Sequence, residues 1–215
     1  MRYALVVLCV LAGQARADAD LAKLELPSCN PARAHCIGLR LRVAIDERGE
    51  LVAPFDWITN QLATANEQFA AIDVAFEVVE RGVVPAVAAR IENRDERDQL
   101  GALIEGRVID VFVTGQLDDV DEPGATIFGV AWRKGARKFV IISAPHAWSH
   151  VLAHELGHVF GLPHSTEPIS IMNKTPRAEP PPEQRRFSDK ELAKMRRKLR
   201  ALLREKVIET RPRRP

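Results

Sequence analysis

The chain has 215 residues, 46% of them hydrophobic, and a net charge of +2. That size and composition suit one globular domain with appendages rather than a disordered or fibrous chain. No apolar run reaches the roughly 20 residues a membrane-spanning helix needs, so no transmembrane anchor is expected, and the near-neutral balance supplies no chain-wide field for nucleic acid.

Residues 1–17 read as a secretory signal peptide. Arg2 is a positive n-region, Ala4 to Ala12 an apolar run, and Ala15-Arg16-Ala17 a cleavage site before Asp18. Cys9 lies inside the apolar run behind the large Leu8, which argues against a lipid anchor there. Cleavage leaves Cys29 and Cys36, and two cysteines in an exported chain are expected to form one disulfide. The short loop limits its stabilisation to on the order of 2–3 kcal/mol. Residues 18–37 are read as a loosely held arm carrying that disulfide, and the chain as secreted or periplasmic.

Leu39, Leu41, Val43 and Ile45 alternate within Gly38–Glu47, the pattern of a strand with one buried face. Pro54–Ala71 opens with a helix-starting proline, and Trp57, Ile58, Leu62, Ala65 and Phe69 recur at helical spacing. Val74–Val79 follows as a short strand. Val83–Asn93 is ambiguous, with a strand in Val87–Ile91, and Asp95–Leu103 is a short helix. Val108–Thr114 and Phe139–Ser143 are apolar enough to be buried strands, and Thr126–Trp132 is another. Asp118, Asp119, Asp121 and Glu122 form an acidic loop of hard oxygen ligands; a solvated loop is the simpler reading and calcium binding the alternative.

The next segment, roughly Ala147–Phe160 and on to His164, contains His154, Glu155, His158, Gly161 and His164 in the order H-E-x-x-H-x-x-G-x-x-H. An i, i+4 pair shares one helix face, with Cβ atoms about 5–6 Å apart, so His154 and His158 can bind one zinc. Gly161 can take positive φ, end the helix, and bring His164 round as a third ligand. Three histidines leave the fourth position open, as catalytic zinc sites do. Glu155, on the same turn as His154, is placed to act as general base toward a zinc-bound water. His150, one turn before His154, is read as a rim residue, and His146 and His35 as surface residues.

With Met172 eight residues after His164, these residues and spacings resemble the metzincin zinc endopeptidases, and the run His-Ser-Thr-Glu-Pro-Ile-Ser-Ile-Met-Asn is most similar to the matrixin branch. The resemblance implies an α/β (α+β) fold: a mixed five-stranded sheet, an active-site helix, a Met-turn with Met172 beneath the histidines, and a C-terminal helix, here over residues 38–207. It implies that Ile127–Trp132 is an antiparallel edge strand along the cleft, where Phe128, Gly129, Val130 and Ala131 would pair with an extended peptide. The activity implied is zinc-dependent endopeptidase hydrolysis of a protein or peptide by a monomer. The alternatives are a metzincin-fold protein that binds peptides or surfaces without turnover, against which the intact Glu155 argues, and a zinc hydrolase acting on a non-protein amide.

Departures from the family pattern are specific. The only tyrosine, Tyr3, precedes the cleavage site, so no tyrosine after Met172 can join the zinc. No histidine lies between Arg81 and Lys138, where matrixins hold a second zinc. A cysteine-bearing pro-segment of family length is not expected here; Cys29 or Cys36, if unpaired, is the alternative cap for the zinc, and the disulfide is the simpler reading. Asn173-Lys174-Thr175-Pro176 replaces the family's Tyr-Pro, which leaves the specificity pocket undefined. Pro176–Pro182 reads as an extended connector. Ser188–Glu191 is a capping box, followed by a helix with Leu192, Met195, Leu199 and Leu202 as its apolar stripe. Its many basic residues, Arg196, Arg197 and Lys198 among them, read as a solvated outer face, with adhesion to an acidic surface as the alternative; nucleic acid does not suit an exported protein. Residues 208–215 are read as a basic disordered tail.

Overall fold

A computed structural model describes residues 13–26, 28–144 and 147–212. Arg2, Tyr3, Cys9 and the apolar run of the leader, as well as His146 and residues 213–215, lie outside the described residues. Residues 13–22 are helical (α1). There follow β1 (His35–Ala44), α2 (Phe55–Phe69), β2 (Val74–Val84), β3 (Arg90–Ile91), α3 (Arg94–Gly101), β4 (Ile109–Thr114), β5 (Gln116–Leu117), β6 (Gly129–Lys134), β7 (Arg137–Ser143), α4 (Val151–Val159) and α5 (Asp189–Arg204).

Five strands form one sheet in the order β2-β1-β4-β7-β6, and β3 pairs with β5 in a separate two-stranded ribbon. β1 is parallel to β2 and β4, and β4 to β7; only β6 runs antiparallel, against β7, with Gly129 opposite Ile142 and Lys134 opposite Arg137. The mixed sheet expected from the family resemblance is therefore present, and β6 is its antiparallel edge.

Strand alternation sorts side chains to two cores. Leu39, Leu41 and Val43 of β1, with Val111, Val113, Val140 and Ile142, face Ile58, Leu62 and Phe69 of α2 and Leu152, Leu156 and Val159 of α4. Phe69 sits at the centre, edge-on to Phe76, Phe160 and Phe187 at 4.9–5.3 Å, a preferred arrangement for aromatic quadrupoles. The opposite face carries Phe112, Phe139 and Ile141, covered by Leu100 of α3 and Leu117 of β5.

Several local readings shift. Pro54 is the N-cap of α2, in extended backbone, rather than its first helical residue. β2 runs five residues past Val79 because β1 pairs with it through Ala44. The ambiguous segment is a 3-10 turn, Ala86–Ala89, before the two-residue β3. β6 starts at Gly129, so Phe128 precedes the strand.

The arm is not loosely held. Leu21 and Leu24 are buried in the main core and Ala17 is buried beside the fold, Asp18 accepts from the Val83 amide at 3.0 Å, and Arg81 donates to the Ala22 and Leu24 carbonyls. Residues 13–17, assigned to the leader from sequence, belong to this helix. Cys29 and Cys36 are disulfide-bonded. The tail is likewise anchored as far as it is described: Ile208 is buried, Thr210 bridges Ile37 and the Arg211 amide donates to the Cys36 carbonyl at 2.8 Å.

Candidate metal centre

Helix α4 is held at both ends by devices that set its histidines. At its start, buried Gln61 of α2 donates to the Trp148 carbonyl at 2.7 Å and accepts from the Leu152 amide at 3.0 Å, satisfying a first-turn donor that has no partner within the helix. At its end the Leu162 amide donates to the Gly157 carbonyl and the Gly161 amide to the His158 carbonyl, a Schellman closure. Gly161 carries the positive φ, +84°, that this closure needs. The chain reverses there and returns His164 to the helix face.

The three imidazoles gather with ring centroids 4.8–5.4 Å apart, and one ligand nitrogen of each lies within 4.8 Å of the others. His154 Nδ1 is 2.7 Å from the Ile171 carbonyl and His158 Nδ1 2.7 Å from the Leu162 carbonyl. A carbonyl only accepts, so each Nδ1 carries the hydrogen and each Nε2 keeps its lone pair, the tautomer and orientation a metal-binding histidine requires. Burial holds all three rings below the ordinary histidine range, His158 down to about 4, so they are neutral ligands at neutral pH. Three converging neutral imidazoles fit zinc, which takes nitrogen at about 2.0–2.1 Å in tetrahedral sites.

Glu155 is buried, 5% exposed, with Oε1 4.0 Å from His154 Nε2. Burial pushes its carboxyl up to about 8, against the opposing pull of the Ala131 backbone N–H and the Lys138 charge. The edge strand passes over it at Gly129, where a Cβ would lie 2.8 Å from both Glu155 Cγ and Val151 Cγ1 and 2.9 Å from Glu155 Oε1. Only a residue with no side chain lets β6 approach the helix this closely.

Met172 is fully buried beneath the same helix. A Cβ on Gly157 would lie 2.6 Å from its sulfur and 3.1 Å from Phe187. The turn that carries it is held from two sides. Glu191, in the first turn of α5, accepts from the Ser188 amide with one oxygen and the Ser170 hydroxyl with the other, both at 2.7 Å, and Ser170 Oγ accepts from the Met172 amide. Arg177 donates to the carbonyls of Pro168, Ser170, Asn173 and Thr175 at 2.7–3.1 Å, tying the loop through its fork of donors.

The structure thus brings together His154, Glu155, His158, His164 and Met172, with Gly129 to Ala131 alongside. Phe128 stands at the head of the edge strand, 44% exposed. His150 precedes α4 and is not in the histidine cluster, and His35 opens β1 far along the chain from it. Asp118 and Asp121 engage Gln116 and Arg94, and Asp119 accepts from the Asp121 amide within the loop. Gly129, Gly157, Gln61 and Arg177 were not singled out for these roles from sequence. A glycine inside an apolar helix, as at Gly157, is a cue to a close contact; Gln61 and Arg177 give no local sign.

The matrixin family model matches residues 90–194, just under half of the chain. No curated protein matches the sequence. Among solved structures, archaemetzincin from Methanopyrus kandleri aligns with a TM-score of 0.51 at 20% identity, covering 78% of this chain and 98% of that one. Metalloproteinase-II from Bacteroides fragilis aligns at 0.52 and 12% identity, covering 81% of this chain and 56% of that one. At these identities the structures show the fold, and the family match supplies the peptidase assignment. With the histidine cluster, the turn carrying Met172 and the mixed sheet in place, the chain resembles the metzincin-like zinc metalloproteases, and over residues 90–194 the matrixin branch among them.

Proposed function

We propose that the protein is an endopeptidase in which His154, His158 and His164 hold one zinc and Glu155 is the general base. The observation that carries this is the buried Glu155 carboxyl beside the histidine nitrogens, under the strand that forms the edge of the sheet. When bound, zinc would supply a Lewis acid for the scissile carbonyl and lower the pKa of a coordinated water.

The chain's own groups do the rest. The Nδ1–H bonds to Ile171 and Leu162 hold two of the rings in register, and Met172 packs under the helix that carries them. Glu155 takes a proton from the attacking water and returns it to the leaving amine, the two halves of general base and general acid work. Its raised pKa in the metal-free protein reflects desolvation; the positive charge it faces in the loaded site favours the carboxylate form that a base needs. The outer edge of β6, from Phe128 to Ala131, offers main-chain pairing to an extended substrate. Such pairing reads a stretch of backbone rather than a chain terminus, which supports internal cleavage.

The leader-like N-terminus supports export, to the periplasm or the exterior. The decisive variant for the mechanism is Glu155→Ala. It should retain one zinc per chain and lose about 10²–10⁴-fold in turnover. A zinc-loaded variant with wild-type activity removes Glu155 from the mechanism; a wild-type protein that binds zinc and peptides without cleaving any favours the binding-protein reading.

A further inference from the structure

A cavity of about 200 Å³ lies at the C-terminal end of α4, lined among others by Arg133, Arg137, Lys138, Gly161 and Lys198. Its cations come from three elements: β6, β7 and α5. No carboxylate is among the lining residues. Arg137 is already engaged, donating to Asp110 at 3.2 Å and to the Glu105 and Val108 carbonyls. Among the described residues, Arg133, Lys138 and Lys198 have no ion-pair partner. Burial and the charges of Arg133 and Lys198 act against the Lys138 ammonium, and the Glu155 carboxylate acts in its favour. Arg133 is exposed, and like charges gathered around one recess repel one another.

Lys138 and Lys198 are half-buried, and the aliphatic part of Lys198 lies over Gly161, where a Cβ would meet its Cγ at 3.2 Å. The Lys138 ammonium donates one hydrogen to the His158 carbonyl at 2.7 Å and has two left. Apolar side chains, Val159 and Ile208 among them, line the recess together with these cations.

We propose that this cavity is a binding site for a small oxyanion of phosphate type, held by Arg133, Lys138 and Lys198. An anion there would neutralise the convergent charges through charge-assisted hydrogen bonds. Through Lys138 it would touch the backbone of His158, so occupancy and the geometry at the end of the zinc-site helix are physically linked. The inference stands apart from the assigned reaction, because it needs neither turnover nor a substrate. The same phosphate chemistry can come from the free ion or from a phospholipid headgroup.

The test compares the full, zinc-loaded wild-type chain with Arg133→Gln/Lys198→Gln, a pair that keeps polarity and most of each stem. Thermal denaturation and titration calorimetry are run with inorganic phosphate against chloride at matched ionic strength, and co-sedimentation with phosphatidylglycerol against phosphatidylcholine vesicles. Circular dichroism and zinc content confirm that the variant is folded and loaded. The expected result is saturable phosphate binding by the wild type, weakened about tenfold or more in the variant, since each cation lost removes a charge-assisted bond. Binding to phosphatidylglycerol alone, lost in the variant, identifies the lipid headgroup as the source of the same anion. Phosphate binding that is unchanged in the variant places the anion elsewhere, the metal included, and overturns the site; so does the absence of binding to either probe.

Discussion

Gly129→Ala tests the contact between the edge strand and the Glu155 carboxyl, the proposed general base. The added methyl would sit 2.8 Å from Glu155 Cγ and Val151 Cγ1 and 2.9 Å from Glu155 Oε1. Carbon atoms prefer about 3.5–4.0 Å, so each neighbour must move by roughly 0.7 Å or more. Val151 is anchored in the first turn of α4, and Glu155 is enclosed, so β6 and the carboxyl take up the movement. Overpacking of this kind costs about 1–3 kcal/mol, offset by about 0.5–1 kcal/mol for replacing a strand glycine. Stability should therefore fall by about 0–2.5 kcal/mol. Activity should fall further, because a catalytic group displaced by about 1 Å can lose on the order of 10²-fold. The predicted outcome is a 10–100-fold drop in kcat/KM, by about that estimate, with zinc content unchanged, since no histidine is touched. Gly82→Ala is the control: in β2 its Cβ would meet nothing nearer than Asp18 Oδ1 at 4.0 Å, and activity should not change. Full activity and native stability in Gly129→Ala would falsify the proposed coupling between strand and carboxyl.

The pH dependence of the metal-free protein follows from two opposed groups. Glu155 titrates at about 8 when folded and near 4.5 when unfolded, so the folded state binds more protons between these values and its stability is lost as pH rises through the window. His158 titrates at about 4 when folded against about 6.5 unfolded, so its contribution is complete above the unfolded value and is lost as pH falls toward 4. His154 and His164 shift in the same direction. The chelated protein should be most stable near pH 6.5, and Glu155→Gln should flatten the alkaline side of the urea-denaturation profile; a wild-type profile that rises steadily from pH 6.5 to 8 contradicts the burial argument. Export can be read by mass spectrometry of the secreted or periplasmic chain, which should begin at Asp18; a chain that keeps its first 17 residues and stays in the cytoplasm overturns the leader reading.

The histidine cluster was legible because its information is local. Two histidines at i, i+4, a following glycine and a third histidine are one helix and one turn, and the dihedral that Gly161 adopts is what its position in the motif demands. The buried strands were legible for the same reason: Leu39, Leu41 and Val43 announce their face by alternation. What was missed depends on partners distant in sequence. β2 is long because β1 pairs with it, not because its own residues require it. Arg177 and Gln61 act on backbone groups whose need for a donor or acceptor exists only after folding. The N-terminal helix is a different case. Ala17, Leu21 and Leu24 recur at helical spacing, but Ala15-Arg16-Ala17 also satisfies a leader's cleavage pattern, and the helix runs across that point.

The central claim is that three histidines hold one metal ion that is used to cut peptide chains internally. The most direct measurement is digestion of a defined peptide library by the purified chain, with metal content determined on the same sample, before chelation, after chelation and after zinc is restored. One zinc per chain, cleavage at internal bonds, loss on chelation and recovery with zinc are predicted. Cleavage that survives complete removal of the metal, or a fully zinc-loaded protein that cuts no peptide, contradicts the account.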